Sequence, residues 1–354
     1  MATPKFSKIT QSFYSDLKTR VNSYFEEVKM SPTGNFQLFF KAVILLVVFA
    51  LVYAHLVFFT PSIVLAICEC VFLGGLVAAI GFNVMHDGAH GSFSKYKSIN
   101  TFASFSLNIL GGSSYMWNMK HNIIHHTYTN VEGVDDDIEI QPWMRMSDSQ
   151  KKHWMHKYQH LYFWIFYSIL YISWMFVTDY MKYFKGKIGE IKITKMKFSD
   201  HLVFWGFKAV HLVLFIGLPI YMLGFTNWLI GFLALTIFAG LILSIVFQLA
   251  HTVEHTAFVM PDGETGNIED EWAKHQVKTT ANFATHNKLI SWLVGGLNFQ
   301  IEHHLFPKIS HIHYPAISKI IKQVCKEYGL VYNEYPRMRY ALVSHISYLK
   351  HMGR

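Results

Sequence analysis

The sequence contains little cysteine. Only Cys68, Cys70 and Cys325 occur among 354 residues. Three thiols cannot build a disulfide framework or a four-thiolate site, so a cysteine-rich secreted scaffold and a protein-held iron–sulfur cluster are both excluded. The low count is also compatible with a reducing compartment.

Charged residues are scarce as well. They make up 15% of the chain, whereas hydrophobic residues make up 52% and aromatic residues 16%. A chain with this balance is too apolar for an ordinary soluble domain. The net charge of +8 does not require nucleic acid, because Lys and Arg accumulate on the cytoplasmic side of membrane proteins. The composition therefore predicts a membrane protein that contacts lipid and binds no nucleic acid.

Histidine, in contrast, is abundant. The chain has 21 histidines, and neutral imidazole is a good ligand for zinc, iron, copper and nickel. On an α-helix, residues i and i+4 share a face, so His121 and His125 would lie together with His126 offset by about 100°. Nine histidines fall in four short groups: His86 and His90; His121, His125 and His126; His251 and His255; and His303 and His304, which follow Gln300.

Nine imidazoles exceed the capacity of one ion, because tetrahedral zinc takes four ligands and an octahedral ion takes six. The Glu-x-x-His pattern of soluble di-iron carboxylate proteins is absent from the sequence. We therefore expect two irons that are held by histidine and react with O2. The competing interpretation is an inverted zinc-protease motif over residues 251–255. It leaves the other seven histidines without a purpose.

The topology follows from the same histidines. Apolar runs predict four membrane spans in two hairpins. A further run, Leu161–Val177, is rich in Tyr and Trp, and we expect it to lie in the membrane interface. If it also crossed, His251 would lie on the opposite face from His121, and the lysine-rich loop 182–197 would lie outside, against the positive-inside rule. The predicted spans are residues 39–60, 62–84, 203–223 and 228–249.

The predicted fold is therefore an all-α membrane protein with interfacial helices and a cytosolic helical cap that holds the histidines. Residues 1–37 should form a cytosolic segment with an amphipathic helix on the membrane surface. Residues 38–320 should form the membrane domain, and residues 321–354 a basic cytosolic tail. No cleavable signal peptide is visible. The apolar face of the first helix is expected at Phe13, Leu17, Val21 and Phe25.

Three of the histidine groups carry a family resemblance. The segments His86-Asp87-Gly88-Ala89-His90, 121–126 and Gln300-Ile301-Glu302-His303-His304 resemble the three histidine boxes of the membrane fatty acid desaturases. The Gln that opens the third box resembles the front-end branch of that family. The flanking Trp117-Asn118 and Leu305-Phe306-Pro307 are similar to its bacterial linoleoyl-CoA desaturase-like members, which have no cytochrome b5 domain.

The resemblance implies a non-haem di-iron centre that uses O2 to insert a double bond into a long-chain acyl-CoA or acyl-lipid, with Δ6 or Δ5 selectivity. Gln300 stands where another branch has a histidine. The implied ligands are His86, His90, His121, His125, His126, His303, His304, Gln300 and the fourth-span ligand at His251 or His255. Polar neighbours expected to orient these ligands are Asp87, Asn122, Asp137, His275 and Glu302.

The implied partners follow from what the chain lacks. It contains no His-Pro-Gly-Gly motif of a fused cytochrome b5, and 38 residues before the first span are too few for that domain. We expect electrons from ferredoxin, or from free cytochrome b5 with its reductase. Arg145, Lys151 and Lys152 are candidates to meet acyl-CoA phosphates, although the positive-inside bias explains them equally well. The expected location is the bacterial cytoplasmic membrane, with both termini and the active site cytosolic.

Two other functions remain open. A related di-iron membrane hydroxylase, ketolase or alkane monooxygenase would use a similar histidine-rich centre. A metal transporter is a more distant alternative. It would need ionisable residues along a transmembrane path, whereas these histidines gather at the membrane surface.

Overall fold

The computed structural model of the chain describes residues 4–7 and 13–354, so residues 1–3 and 8–12 of the predicted segment 1–37 lie outside it. The described part is mainly α-helical. Its helices are α1 (Phe13–Val28), α2 (Phe36–Ala54), α3 (Ile63–Ile80), α4 (His86–His90), α5 (Lys97–Ser104), α6 (Ser106–Ile109), α7 (Ser114–Trp117), α8 (His126–Tyr128), α9 (Gln159–Ser173), α10 (Asp179–Lys185), α11 (Phe198–Leu212), α12 (Leu218–Leu223), α13 (Phe225–His251), α14 (Trp272–Thr279), α15 (Lys288–Leu293), α16 (Gln300–Leu305), α17 (Tyr314–Glu327) and α18 (Met338–Met352).

Strands are few and short. The six strands of the described part have two residues each and form three separate pairs. β1 (Lys5–Phe6) and β4 (Asn267–Ile268) are parallel, as are β5 (Asn282–Phe283) and β6 (Glu334–Tyr335), whereas β2 (Lys187–Ile188) and β3 (Ile191–Lys192) form an antiparallel hairpin.

Several helices are interrupted by π-helical turns, in which one extra residue widens the helix and the backbone bonds run from i to i+5. Two of these turns lie at predicted histidine groups, and π-turns are frequent at functional sites. They span His55–Phe59, Gly81–Met85, Asn118–His125, Trp174–Thr178 and Val213–Gly217.

Five continuous helical runs are long and apolar enough to cross a membrane. They confirm the all-α membrane fold, and four of them coincide with the predicted spans. The fifth contains Leu161–Val177, which the sequence assigns to the interface, so the count of four spans stays a prediction. The runs are Phe36–Phe59, Ile63–His90, Trp154–Lys185, Phe198–Leu223 and Phe225–His251.

Residues 34–119 and 164–245 form one compact unit, which contains most of the apolar helices. Within it α2 packs on α3, and α3 packs closely on α13. A Cβ placed at Gly74 would lie 2.5 Å from the carbonyl oxygen of Leu235. Small residues at helix crossings allow this close packing in membrane proteins.

The described residues before 34 form the second unit together with residues 120–163 and 246–354. The predicted helix near the N-terminus is present as α1. Its apolar face, however, is buried in a core that also contains Ile317 and Ile321 of α17. The expectation that this face lies on the membrane is therefore wrong. The C-terminal residues also belong to this unit, and α18 buries Ala341 and Leu349.

Candidate metal centre

The second histidine group lies on a π-helical turn, not on the α-helix expected from its spacing. The turn covers Asn118–His125 and continues into α8. In a π-turn, residues five apart come onto the same face, and Nε2 of His121 lies 3.2 Å from Nε2 of His126. The ring of His121 also stacks on that of His125, with 5.1 Å between centroids. The extra residue in the turn therefore brings all three imidazoles together.

His125 has the geometry of a metal ligand that is held from behind. Its side chain is fully buried. Nδ1 lies 3.0 Å from Oδ2 of Asp135, and the same oxygen accepts a hydrogen bond from the backbone N–H of Asn130 at 2.9 Å. Nε2 of His125 is buried and has no hydrogen-bond partner among the residues that the structure describes, which is unfavourable unless a ligand occupies it. Carboxylates commonly orient metal-binding histidines in this way.

Three elements place a group of imidazoles around this nitrogen. His251 is the last residue of α13 and His304 lies in α16. The ligand atoms of His125, His251 and His304 all lie within 4.8 Å of one another. The amide nitrogen of Gln300 lies 3.0 Å from Nε2 of His251 and 3.3 Å from Nε2 of His304. Its oxygen has no hydrogen-bond partner within residues 4–7 and 13–354. The group thus comprises three buried imidazoles and one carboxamide.

His304 is also fixed through its other nitrogen. Its Nδ1 lies 2.8 Å from Oε1 of Gln276, a residue of α14, and 3.1 Å from Oγ1 of Thr129. Both partners are buried. Because Nδ1–H donates to an oxygen, Nε2 remains the nitrogen that can bind a metal.

A second group overlaps the first. The ligand atoms of His126, His303 and His304 lie within 4.8 Å of one another, and all three side chains are buried. Nδ1 of His303 lies 3.1 Å from the hydroxyl of Tyr314, at the start of α17. Three imidazoles of the two groups, those of His125, His303 and His304, are therefore each held by a different polar side chain.

The first histidine group has the α-helical geometry expected from its spacing. His86 and His90 begin and end α4, directly after the π-turn Gly81–Met85, and their ring centroids are 4.6 Å apart. Both rings contact Trp117 at 5.6 Å. Gly88 between them packs on α5, where a Cβ would lie 2.7 Å from Cβ of Ala103. This pair is buried and held rigidly by its neighbours.

His255 does not join a histidine group in the described part of the chain. α13 ends at His251, so the i, i+4 face does not continue, and the side chain of His255 is exposed. Of the two candidates for the fourth-span ligand, His251 and His255, only His251 lies in a group of possible metal ligands within the described residues. The inverted zinc-protease motif needs both histidines, so its geometry is also missing.

The polar residues expected to orient the imidazoles have different roles. Asp137 lies near His125, with 3.5 Å between Oδ2 and Nδ1, but it also pairs with Lys120 at 2.5 Å. Nε2–H of His275 donates to the carbonyl of Thr129 at 2.8 Å. Burial lowers the pKa of His275 to about 4, so this imidazole is neutral. It supports the backbone beside the site and contacts no ligand imidazole.

Glu302 supports the third box from inside the protein. Its carboxylate accepts hydrogen bonds from Asn282 and Tyr332, both at 2.7 Å. Burial raises the pKa of Glu302 to about 7. These bonds hold α16 in place, whereas the imidazoles of His303 and His304 are held by other side chains. Asp87 is buried in α4 and Asn122 is half-buried in the π-turn.

Sequence reasoning missed three of the residues that hold the imidazoles. Asp135, Asp136 and Asp137 form an acidic run after the second histidine group. The sequence therefore contained a signal for Asp135 as well as for Asp137. Gln276 and Tyr314 lie 28 and 11 residues from the histidines they contact. No spacing rule links them, and only the fold brings them together.

The residues present fit a bound metal. Buried imidazole nitrogens converge within ligand distance of one another, and Nε2 of His125 has no hydrogen-bond partner in the described part of the chain. A set of imidazoles suits iron, copper, nickel or zinc rather than calcium or magnesium.

Comparison with known proteins decides the family. The model of the fatty acid desaturase family matches residues 61–336. The chain belongs to this family. The resemblance drawn from the histidine boxes is thereby confirmed, and this desaturase is an oxidoreductase.

Its relatives are similar over nearly the whole chain. The desaturase is 38% identical over 343 residues to the sn-1 linoleoyl-lipid 6-desaturase of Arthrospira platensis, covering 96% of this chain and 92% of the relative. It is 37% identical to the protein of the same name from Synechocystis sp., covering 100% and 99%. It is 34% identical to the acyl-lipid (8-3)-desaturase of Physcomitrium patens, covering 99% and 75%.

Proposed function

We propose that this desaturase inserts a double bond at carbon 6 of a linoleoyl chain that is esterified to a membrane glycerolipid. The observation that carries the chemistry is the buried group of His125, His251 and His304 with the unpartnered Nε2 of His125. The names of the two cyanobacterial relatives support the acyl-lipid substrate and the position of the new double bond at carbon 6. This choice narrows the sequence-based expectation, which included acyl-CoA and Δ5 selectivity.

The proposed cofactor is a pair of irons, because the candidate ligands outnumber the six positions of one octahedral ion. His255 is omitted because its side chain is exposed. The proposed ligands are His86, His90, His121, His125, His126, His251, His303 and His304, with the carboxamide of Gln300 as a ninth, weaker donor.

When bound, the irons supply the redox chemistry that activates O2. The protein supplies position and a dry site. Asp135, Gln276 and Tyr314 hold Nδ1 of His125, His304 and His303, so that each Nε2 keeps its direction. Burial of these side chains excludes water from the reacting region.

The electron balance requires a separate donor. Reducing O2 to two waters takes four electrons, of which the two C–H bonds of the acyl chain supply two. The remaining two come with two protons from outside the substrate. Three cysteines cannot hold an iron–sulfur cluster in this chain. We therefore propose ferredoxin or free cytochrome b5 as the carrier.

The proposed setting is the bacterial cytoplasmic membrane, with four spans within residues 38–320 and the histidines on the cytosolic side. The preceding segment 1–37 and the tail 321–354 would lie on the same side. The pairing of β1 with β4 and the packing of α1 near α17 support a common side for the two ends.

The test is expression in a host that lacks polyunsaturated lipids and is fed linoleic acid. We expect a new double bond at carbon 6 in lipid-linked chains, located by mass spectrometry, and about two irons per purified chain. The His125→Ala variant should make none of this product. A hydroxylated product, a bond at another carbon, or one zinc and no iron would overturn the proposal.

A further inference from the structure

A surface cavity lies beside the beginning of the helical run Trp154–Lys185. Its volume is about 500 Å³, within the range of small-molecule sites. Three of its six lining residues carry a permanent positive charge at neutral pH. The cavity is lined by Lys152, His153, Trp154, Lys157, Gly353 and Arg354.

The cations of this cavity are available to a ligand. Lys152, Lys157 and Arg354 are exposed, and within residues 4–7 and 13–354 none of them forms an ion pair with a carboxylate. Arg145, which the sequence suggested for phosphate binding, differs from them. Its guanidinium donates to the carbonyls of Gln150 at 2.9 Å and Met352 at 2.8 Å. Arg145 therefore holds the end of α18 in place, next to Gly353 and Arg354 of the cavity lining.

The wall is also fixed by close packing. Gly353 lies so close to the backbone of His156 that a Cβ there would overlap the carbonyl oxygen. His156 is buried, and its Nε2–H donates to the carbonyl of Pro142 at 2.8 Å. These contacts hold the backbone of the cavity in place between the start of this helix and residues 353–354, whereas the cationic side chains are exposed.

The helix that begins at the cavity presents an apolar stripe to its surroundings. Trp154, Tyr158 and Leu161 are 81%, 47% and 62% exposed. Trp154–Tyr158 is a 3-10 helical turn that continues into α9, and the spacing of three residues places Tyr158 and Leu161 on one face. Trp and Tyr are enriched where a membrane protein meets the lipid headgroups. The basic cavity and a lipid-facing stripe therefore adjoin each other.

We propose that this cavity binds the phosphate of an anionic membrane glycerolipid, of the phosphatidylglycerol type. The lysines supply point charges for the phosphate, and the beginning of the helix adds a favourable dipole. Trp154 and the residues that follow it on the stripe contact the acyl chains. A free phosphate would gain nothing from the stripe, which is why a lipid is favoured. The site does not depend on the double-bond position or on the metal.

The test uses the full-length protein in mild detergent, with lipid binding measured by native mass spectrometry. Lys152→Gln/Lys157→Gln removes two charges from the cavity. Lys192→Gln/Lys195→Gln removes two exposed lysines from the β2–β3 hairpin and its following loop, as a matched control. We expect the cavity variant to bind phosphatidylglycerol about 25-fold more weakly, since each of the two lysines near a charged lipid surface contributes on the order of a fivefold change in affinity. The control should change less than about twofold by the same reasoning.

Two further binding measurements distinguish an anionic lipid from a zwitterionic lipid and from free phosphate. Zwitterionic phosphatidylcholine should bind both variants and the unchanged protein alike. Inorganic phosphate should not displace phosphatidylglycerol at equal concentration. Equal losses in the two variants would assign the attraction to general surface charge, and displacement by inorganic phosphate would identify a free-phosphate site. Either result would overturn the proposal while leaving the desaturase function untouched.

Discussion

At the scale of single residues, the carboxylate of Asp135 determines which nitrogen of His125 is available. It accepts the Nδ1–H of His125 at 3.0 Å and a backbone N–H from Asn130. With Nδ1 occupied, the lone pair of Nε2 faces the other imidazoles. A negative charge behind the ring also makes the imidazole a stronger ligand. One buried carboxylate thus fixes both the orientation and the basicity of a central ligand.

Replacing Asp135 by Asn should therefore reduce metal binding. The amide is neutral, so it removes the negative charge behind the ring. Its NH2 group also cannot replace Oδ1, which accepts the backbone N–H of Asp137 at 3.0 Å. We expect iron content or product formation to fall about 10- to 100-fold, the usual effect of losing such a partner. Elemental analysis of the purified protein and lipid mass spectrometry measure the two quantities.

Asp136 provides the matched control for this variant. It is the next residue along the chain and pairs with Lys120 at 3.7 Å. Asp136→Asn should keep most of the iron and activity. If the two variants lose iron equally, the acidic run acts as a whole and the specific role of Asp135 is wrong.

The same residues indicate how far the sequence predicts the site. Imidazoles within one short motif, such as His86 and His90, are predictable because helix geometry fixes their spacing. The choice between Asp135 and Asp137 is not, since a turn decides which carboxylate faces the ring. Gln276 contacts His304 across 28 residues, and this contact depends on how α14 packs on α16. The prediction that His255 could be a ligand is not supported for a local reason, because α13 ends at His251.

At the scale of elements, the π-turn over Asn118–His125 matters most. Residue spacing alone suggests an α-helix, in which His121 and His126 would point in different directions. The extra residue in the π-turn brings their Nε2 atoms to 3.2 Å. A π-turn is less favourable than an α-helix and persists where function or packing requires it. Local propensity does not predict such a turn, whereas the long apolar helices follow directly from composition and length.

Deleting Ile123 should convert this turn into a regular helix. Ile123 lies between His121 and His126 and is 46% exposed. Its loss changes the separation of His121 from His126 from five residues to four, and from His125 from four residues to three. His121 therefore loses its present position relative to the other two rings. We expect the deletion variant to lose iron and all desaturase activity, measured by elemental analysis and by product formation in cells.

The substitution Ile123→Ala is the control for the deletion, because it removes the side chain and keeps the residue count. A partly exposed position tolerates this change at a cost of about 1 kcal/mol or less. The substituted protein should retain its iron. Activity in the deletion variant would show that the histidines reach the metal in another register, which would contradict the role given to the π-turn.

At the scale of the whole molecule, the histidines constrain the membrane topology. The rings of His125 and His251 are 4.7 Å apart, so both lie on the same side of the membrane. Three apolar helical runs separate them: Trp154–Lys185, Phe198–Leu223 and Phe225–His251. An odd number of crossings would place the two histidines on opposite sides. If the last two runs form the second hairpin, Trp154–Lys185 cannot cross, although its length and composition would allow it.

Cysteine labelling tests this parity through the loop that follows Trp154–Lys185. Lys192 lies in the β2–β3 hairpin, between that helix and Phe198–Leu223, and is exposed. In a protein with Cys68 replaced by Ser, Lys192→Cys should react with a membrane-impermeant maleimide from the same side as Lys151→Cys. Thr226→Cys, between the last two spans, should react only from the opposite side. Labelling of Lys192→Cys only from the side opposite to Lys151→Cys would mean that Trp154–Lys185 crosses. Phe198–Leu223 or Phe225–His251 would then have to stay on one face, because the contact between His125 and His251 permits only an even number of crossings.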